Sequence, residues 1–231
     1  MKRLLGSLVL ALMGTWAMAG SASLPPELAG LVKVKAKRVD EAYLLPGADF
    51  RSYTEVMIDP AEVAFRKDWM RNINQQNRSP SNKISTEDAQ EIAAAARSGF
   101  GEIWDEAFRK AGYEVVKSPG PGVLRLSPKV IDLYINAPDT MSAGRSRSYT
   151  VEAGEATLVL QASDSQTGAA LGYAVDRRRT RSNGMTLSWT TSVSNRGDFG
   201  ILFKDWANIC VSALEDLKEK SPLPPPTPPK G

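Results

Sequence analysis

The sequence predicts a single α+β domain with a mainly antiparallel sheet of about five to seven strands and two main helices packed on one face. Several segments alternate apolar and polar residues between Pro, Gly, Asn or Ser turns, which is typical of antiparallel strands. Two longer segments carry apolar residues at helical spacing. Hydrophobic residues make up 42% of the chain, which is ordinary for one globular core.

The first part of the domain is predicted to be extended chain. Residues 32–45 alternate, and Pro46 and Gly47 then break the strand. A second extended segment, residues 53–66, contains Pro60, which indicates a bulge or an edge position. Together the two segments predict a hairpin or two adjacent strands. The polar residues 68–83 are predicted to form a long loop.

The clearest helical pattern runs from Ser85 to Gly112. Ser85 can cap the helix, and Asp88 lies three residues later, as in a capping box. Gly112 suits the left-handed residue that ends a helix. We expect the apolar stripe to pack in the core rather than to form a ligand platform. The stripe consists of Ile92, Ala96, Phe100, Ile103 and Ala107, flanked by Trp104, Phe108 and Ala111.

Residues 113–138 predict a short strand, a turn and a longer strand. The sequence "GPGV" at Gly120–Val123 is too short for a phosphate-binding loop and forms the turn. In the longer strand the inward-facing phase switches between Leu126 and Ile131. Pro128 lies between them, so we expect a β-bulge there.

The strongest strand pattern leads into a predicted hairpin. Alternate residues from Gly154 to Ala162 share one face, and Leu171, Tyr173 and Val175 are predicted to point inward on the returning strand. In the turn, the Asp and Ser side chains can accept backbone N–H groups, and glycine supplies a positive φ. The predicted structural turn consists of Asp164, Ser165, Thr167 and Gly168.

Arginines follow this returning strand and continue the phase of Tyr173 and Val175. We interpret them as a solvated strand end paired with Asp176 or Glu152, because exposed ion pairs are common and weak. The alternative is an anion-binding site, in which guanidinium groups make charge-assisted bonds to phosphates or carboxylates. The candidate anion-binding residues are Arg145, Arg147, Arg177, Arg179 and Arg181.

The last helical pattern follows Asn195 and Asp198, either of which can cap it. Lys218 and Lys220 lie in its last turn, where they suit the helix dipole. Cys210 borders the apolar stripe, so we interpret it as a small buried hydrophobe rather than a nucleophile. The stripe consists of Leu202, Trp206, Ile209, Ala213 and Leu217.

The two ends of the chain predict export and a tail. Residues 1–19 read as a signal peptide cut after Ala19, with Ala22 as the second choice. No cysteine lies at the junction for lipid attachment, so we expect a periplasmic or secreted protein with no transmembrane segment after cleavage. Residues 20–31 are predicted to be flexible and 32–220 to form the domain. The proline-rich residues 221–231 predict a disordered tail, with a docking peptide as the alternative.

Composition excludes several kinds of chemistry. The chain has no histidine and one cysteine, so His-dependent triads, intramolecular disulfides and Cys-based zinc sites cannot form. We predict no catalytic residue, no metal site and no cofactor. A hydrolase using two carboxylates is the remaining enzyme alternative. Neither Asp105–Glu106 nor Glu152–Glu155 places its two carboxylates face to face.

Several stretches resemble one known family. "PGADFRSY", "GPGVLRLSPKVIDLYIN", "LQASDSQTGAALGYAVDRR" and "FKDWANICVSALEDL" are similar to the bacterial envelope family called Domain of Unknown Function 3313. The resemblance covers roughly residues 33–217, and its most specific piece is the Asp164–Gly168 turn followed by the basic strand end. It implies an envelope protein, often a lipoprotein, of no established activity. The missing junction cysteine departs from the lipid-anchored members.

These observations predict a non-enzymatic binding or accessory protein of the cell envelope. Its partner would be an unknown envelope protein or an anionic envelope component, either a lipid or a polymer. Signal cleavage removes Lys2 and Arg3, which takes the formal net charge from +3 to +1. Such a balance provides no global attraction for nucleic acid, so no nucleic-acid partner is predicted.

Overall fold

The computed structural model describes residues 26–77, 83–135, 154–180 and 192–225. The strands are β1 Val32–Val34, β2 Glu41–Leu44, β3 Glu55–Ile58, β4 Glu62–Phe65, β5 Glu114–Val116, β6 Val123–Ile135, β7 Gly154–Asp164 and β8 Ala170–Arg179; the helices are α1 Trp69–Gln76, α2 Thr86–Lys110 and α3 Ser192–Lys220. The strands form one sheet in the order β1-β2-β8-β7-β6-β3-β5, with β4 also paired to β6. The pairs from β1 to β6 in this order are antiparallel, whereas β3 and β4 run parallel to β6. The α+β prediction is confirmed, with eight strands in the described ranges.

The two extended segments at the start do not pair with each other as predicted. Residues 32–45 fold back on themselves, so that β1 and β2 form their own hairpin. Residues 53–66 divide into β3 and β4, which lie one after the other along β6. Pro128 of β6 lies between the stretch that pairs with Ile58 and the stretch that pairs with Glu62. Pro128 has no backbone N–H, and it lies at a position of β6 that pairs with neither β3 nor β4.

The phase switch in β6 occurs at Asp132 and not at Pro128. Pro128 is fully buried and stays in register with Leu160. The register shifts between Ile131 and Tyr134, and Asp132 has a positive φ of 51°. One extra residue in the strand inverts the side-chain alternation beyond it. The bulge thereby turns Leu133 into the core and Tyr134 to the opposite face.

A second bulge reverses the predicted orientation of β8. Ala162 pairs with Gly172 but Ser163 pairs with Ala170, which leaves Leu171 as the extra residue. Leu171 joins the core. Tyr173 and Val175, predicted to point inward beside it, instead face away from the helices, because the bulge shifts the alternation by one residue.

A short helix occupies part of the predicted loop 68–83. Helix α1 begins at Trp69, and its two buried side chains, Trp69 and Ile73, lie one turn apart. Burial of this pair stabilises a helix that local propensity does not predict. Beyond it, the amide group of Asn74 bonds both the N–H and the carbonyl oxygen of Ile84, at 2.7 and 2.9 Å. These bonds hold the chain close to the start of α2.

Helices α2 and α3 pack against each other and cover one face of the sheet. The predicted capping box of Ser85 and Asp88 is present, and Gly112 has a φ of 89°. The predicted stripe packs in the core, where most of its residues are partly buried. The deepest residues of α2 are three aromatics spaced four apart, one from the predicted stripe and two predicted to flank it. They are Phe100, Trp104 and Phe108.

Helix α3 begins earlier than predicted and buries a partly different stripe. Because it starts at Ser192, Asn195 and Asp198 lie within the helix and do not precede it. In its second half Leu214 is buried, while Ala213 is exposed. The buried residues of α3 are Phe199, Leu202, Phe203, Trp206, Ala207 and Leu214.

The segments flanking the predicted domain are partly fixed. Leu28 and Leu31 are buried, so the predicted flexible segment 20–31 is ordered at its end. Leu223 is also buried, and its N–H bonds the Ala48 carbonyl oxygen at 2.9 Å. The Phe50 N–H donates to Ser221 Oγ at 2.8 Å. The tail is therefore held to the domain through Leu223, whereas the predicted signal peptide and residues 226–231 lie outside the described residues. In the described ranges, no helix is long and apolar enough to cross a membrane.

Candidate anion-binding site

The face of the sheet opposite the helices presents charged side chains in cross-strand rows. Glu155 of β7 lies opposite Arg179 of β8, and Thr157 lies opposite Arg177. Residues paired in this way have side chains on the same face, close enough to interact. The register of the hairpin therefore brings two of the predicted arginines beside an acidic residue.

Three arginines converge on the Glu155 carboxylate. Arg177 Nη2 lies 3.0 Å and Arg179 Nε 3.6 Å from Oε2. Arg66, which follows β4, pairs with Oε1. Its guanidinium also stacks 4.8 Å from the ring centre of Tyr134, a favourable cation–π distance. We call these five residues the Glu155 cluster.

The cluster carries two positive charges more than negative ones, and it exposes them unevenly. The Glu155 side chain is only 12% exposed, whereas Arg177 and Arg179 are 58% and 69% exposed. The carboxylate thus neutralises one guanidinium charge from inside. Two remain at the surface, where guanidinium groups can bind phosphate or carboxylate groups.

The loop between β1 and β2 adds further positive charge beside this cluster. Asp40 Oδ2 accepts the backbone N–H of Arg177 at 2.8 Å, which fixes the loop against β8. Lys35 and Lys37 in the same loop are exposed, and neither forms an ion pair with any residue in the described ranges. The loop and the Glu155 cluster together form a basic edge.

On the helix side of the same strand, a buried carboxylate links the sheet to α3. Asp176 Oδ2 accepts the indole N–H of Trp206 at 2.8 Å and Arg178 Nε at 2.6 Å. Arg178 Nη2 also donates to the Arg38 carbonyl oxygen at 2.9 Å. Because each of these groups has a hydrogen-bond partner within the protein, we interpret the contacts as structural.

The structure brings together only part of the predicted arginine set. Arg177 and Arg179 meet at Glu155, while Arg145, Arg147 and Arg181 lie outside the described residues, as does Glu152. Asp176, named as a partner for the alternate arginines, instead pairs with Arg178.

Glu155 and Arg66 are the site residues that the sequence analysis did not identify. Counting back from the Ser163–Ala170 pair would put Glu155 opposite Arg178, and the bulge at Leu171 moves it opposite Arg179. Glu155 is therefore identified only by the bulged register of the hairpin. Arg66 arrives through the pairing of β4 with β6, for which the local sequence offers no comparable signal.

The Asp164–Gly168 turn ties three loops together. Asp164 Oδ1 accepts the Thr167 N–H and hydroxyl, both at 2.8 Å, and Gly168 has a φ of 71°. Oδ2 accepts the Tyr53 hydroxyl at 3.1 Å. The bonds from Thr167 lower the pKa of Asp164. Ser165 Oγ accepts the Gly120 N–H at 3.1 Å, which connects the turn before β6.

Two other side chains in the described ranges, Cys210 and Asp59, are held by their surroundings. Cys210 is partly buried against the core. Burial raises the pKa of its thiol to about 12, so the nucleophilic thiolate is not populated at neutral pH. Asp59 accepts Arg125 Nε at 2.9 Å and the Ser127 hydroxyl at 2.6 Å. No group of three metal-ligating residues occurs in the parts of the chain that the structure describes.

A family model described as "Protein of unknown function (DUF3313)" matches residues 21–209. The chain belongs to this family. No curated protein matches the DUF3313 chain.

The solved structures that this DUF3313 protein matches share little sequence with it. PelC from Paraburkholderia phytofirmans, a dodecamer, is 12% identical with a TM-score of 0.39, and the match covers 75% of this chain and 97% of PelC. XCC0632 from Xanthomonas campestris is 11% identical, with a TM-score of 0.39 and coverage of 76% and 89%. A minor lipoprotein from Acinetobacter baumannii is 11% identical, with a TM-score of 0.31 and coverage of 76% and 98%.

Proposed function

We propose that this DUF3313 protein is an exported, non-enzymatic binding or accessory protein of the cell envelope, and that it binds an anionic envelope component at the basic edge. The observation that carries the proposal is the Glu155 cluster, in which three guanidinium groups share one carboxylate. Two of those arginines are largely exposed. A polyanion arriving at this edge meets charge that the protein has not neutralised.

The proposed location rests on the N-terminal sequence. A basic start, an apolar stretch and the small residues at Ala17 and Ala19 form a signal-peptide pattern. We therefore expect the mature protein in the periplasm or outside the cell. Fractionation of cells producing the full chain tests this, and retention of an uncleaved chain in the cytosol would contradict it.

The non-enzymatic role rests on composition and on how the inner carboxylates are used. The chain lacks histidine. Glu155 and Asp176, the acidic residues with little exposure at this end of the sheet, are both paired with arginine. Both carboxylates are thus already bound to guanidinium groups of the same chain, as in structural ion pairs.

The binding proposal can be tested with two anionic probes. We expect the mature protein to bind vesicles containing phosphatidylglycerol or long-chain polyphosphate, with weaker binding as salt increases. The two probes distinguish a lipid headgroup from a polymer as the source of the anion. Failure to bind both at low salt would contradict the proposal.

Charge reversal locates the binding surface. Arg177→Glu with Arg179→Glu should reduce binding at least tenfold. The control is Lys110→Glu with Lys117→Glu, which makes the same change in net charge and also breaks two exposed ion pairs. Equal losses in the two double variants would show that binding follows net charge and not the basic edge.

A further inference from the structure

We infer that Glu155 determines the class of anion that the basic edge accepts, by occupying the place where a single phosphate would bind. This inference rests on the proposed anion-binding function. It assigns the site to a linear polymer with repeated anionic groups, and against isolated phosphate or carboxylate ions.

The first step concerns the inner side of the cluster. Both oxygens of Glu155 face guanidinium groups, Oε1 that of Arg66 and Oε2 those of Arg177 and Arg179. Because the carboxylate is part of the same chain, it competes at a high effective concentration with any small anion in solution. A lone phosphate would have to displace it to reach all three guanidinium groups.

The second step concerns the charge that remains available. Arg177 and Arg179 lie two residues apart on one strand, so their backbones are about 7 Å apart. Lys35 and Lys37 lie in the loop that Asp40 fixes to the same strand. The guanidinium groups of Arg177 and Arg179 nevertheless meet at Oε2, a position that Glu155 already occupies. A ligand with several anionic groups can contact the outer donors of the two arginines and the lysines of the loop together, whereas a single phosphate can contact only a few of these donors.

The third step is the effect of removing the carboxylate charge. Glu155→Gln keeps the size of the side chain and leaves three arginines without their shared counter-ion. Glu155→Ala also opens the space that the carboxylate fills. In both variants the arginines become a convergent site, since guanidinium groups bind phosphate through paired N–H donors.

The experiment measures inorganic phosphate and long-chain polyphosphate binding by calorimetry. The samples are the wild-type mature protein, Glu155→Gln, Glu155→Ala and the control Glu102→Gln. Glu102 is exposed on α2, and its partner is the Ser98 hydroxyl, so the control changes net charge by the same amount. Thermal unfolding of each sample establishes that it is folded.

We expect the wild type and the control to bind polyphosphate. We also expect both of them to bind inorganic phosphate at least tenfold more weakly than the two Glu155 variants bind it. Polyphosphate affinity should change less than phosphate affinity. Unchanged phosphate affinity in the folded Glu155 variants would overturn the inference, and so would an equal gain in the control. If neither Glu155 variant folds, the test uses the wild type alone. The inference is refuted if the wild type binds phosphate as tightly as polyphosphate, and it is supported if the wild type binds phosphate markedly more weakly. Unchanged polyphosphate binding by the Arg177→Glu, Arg179→Glu double variant would instead refute the proposed function.

Discussion

Three fully buried tryptophans differ in what their indole N–H groups contact, which allows one substitution to be compared at three sites. Trp206 donates to the Asp176 carboxylate at 2.8 Å. Trp69 donates to the Ile135 carbonyl oxygen at 3.0 Å. The Trp104 indole nitrogen has no hydrogen-bond partner in the described structure. All three side chains are at most 1% exposed.

Replacing each tryptophan with phenylalanine removes similar volume, which costs about 1 to 2 kcal/mol of packing. A buried hydrogen bond to a charged group contributes about 1.5 to 3 kcal/mol, and one to a neutral group about 0.5 to 1.5 kcal/mol. We therefore expect losses of about 4 kcal/mol for Trp206→Phe, about 2.5 for Trp69→Phe and at most about 1.5 for Trp104→Phe. The last value includes relief of an unsatisfied N–H.

The assay is urea unfolding of the mature protein, followed by circular dichroism, with thermal melting as a second measurement. For a domain of this size each kcal/mol corresponds to about 2–4 °C in Tm. Asp176→Asn combined with Trp206→Phe should show coupling between the two sites, whereas Asp176→Asn and Trp104→Phe should be additive. If Trp104→Phe costs as much as Trp206→Phe, the indole hydrogen bonds do not determine these stabilities.

Three further predictions concern local packing and protonation. A Cβ at Gly154 would lie 1.9 Å from the Tyr134 carbonyl oxygen, so Gly154→Ala should lower the free energy of unfolding by more than about 3 kcal/mol. The control is Gly99→Ala on α2, where a Cβ would meet open space, and it should raise the free energy of unfolding by about 0.5 to 1 kcal/mol. Equal effects of the two substitutions would contradict the close approach of Gly154 to Tyr134. Cys210, with a thiol pKa of about 12, should react with an aromatic disulfide reagent only after unfolding, so rapid labelling of the native protein would show that the thiol is accessible. Burial, and then the hydrogen bond to Asp164, raises the pKa of Tyr53 to about 12. The stability that results is present below the pKa of the unfolded state, near 10, and is lost as the pH rises towards 12. In urea unfolding, Tyr53→Phe should therefore lose less stability at alkaline pH than the wild type does.

Local patterns were sufficient for elements whose causes are local. The capping box at Ser85, the end of α2 at Gly112 and the α+β class all follow from side chains a few residues apart. Helix α1 could not be predicted in this way, because Trp69 and Ile73 are stabilised by burial against distant strands. The bulges at Asp132 and Leu171 are also set by pairing with neighbouring strands.

The sequence by itself determined that this chain has an amphipathic α+β core, no histidine chemistry and an arginine-rich end to one hairpin. Only the tertiary structure decided which groups those arginines contact. Two bulges turn Tyr134 and the alternate arginines to the face away from the helices, and the parallel pairing of β4 with β6 brings Arg66 to Glu155. Each bulge shifts the side-chain alternation by one residue, so the face on which a side chain lies depends on every bulge before it in the strand. Contacts between distant strands depend on the topology of the sheet. Neither can be read from spacing along the chain.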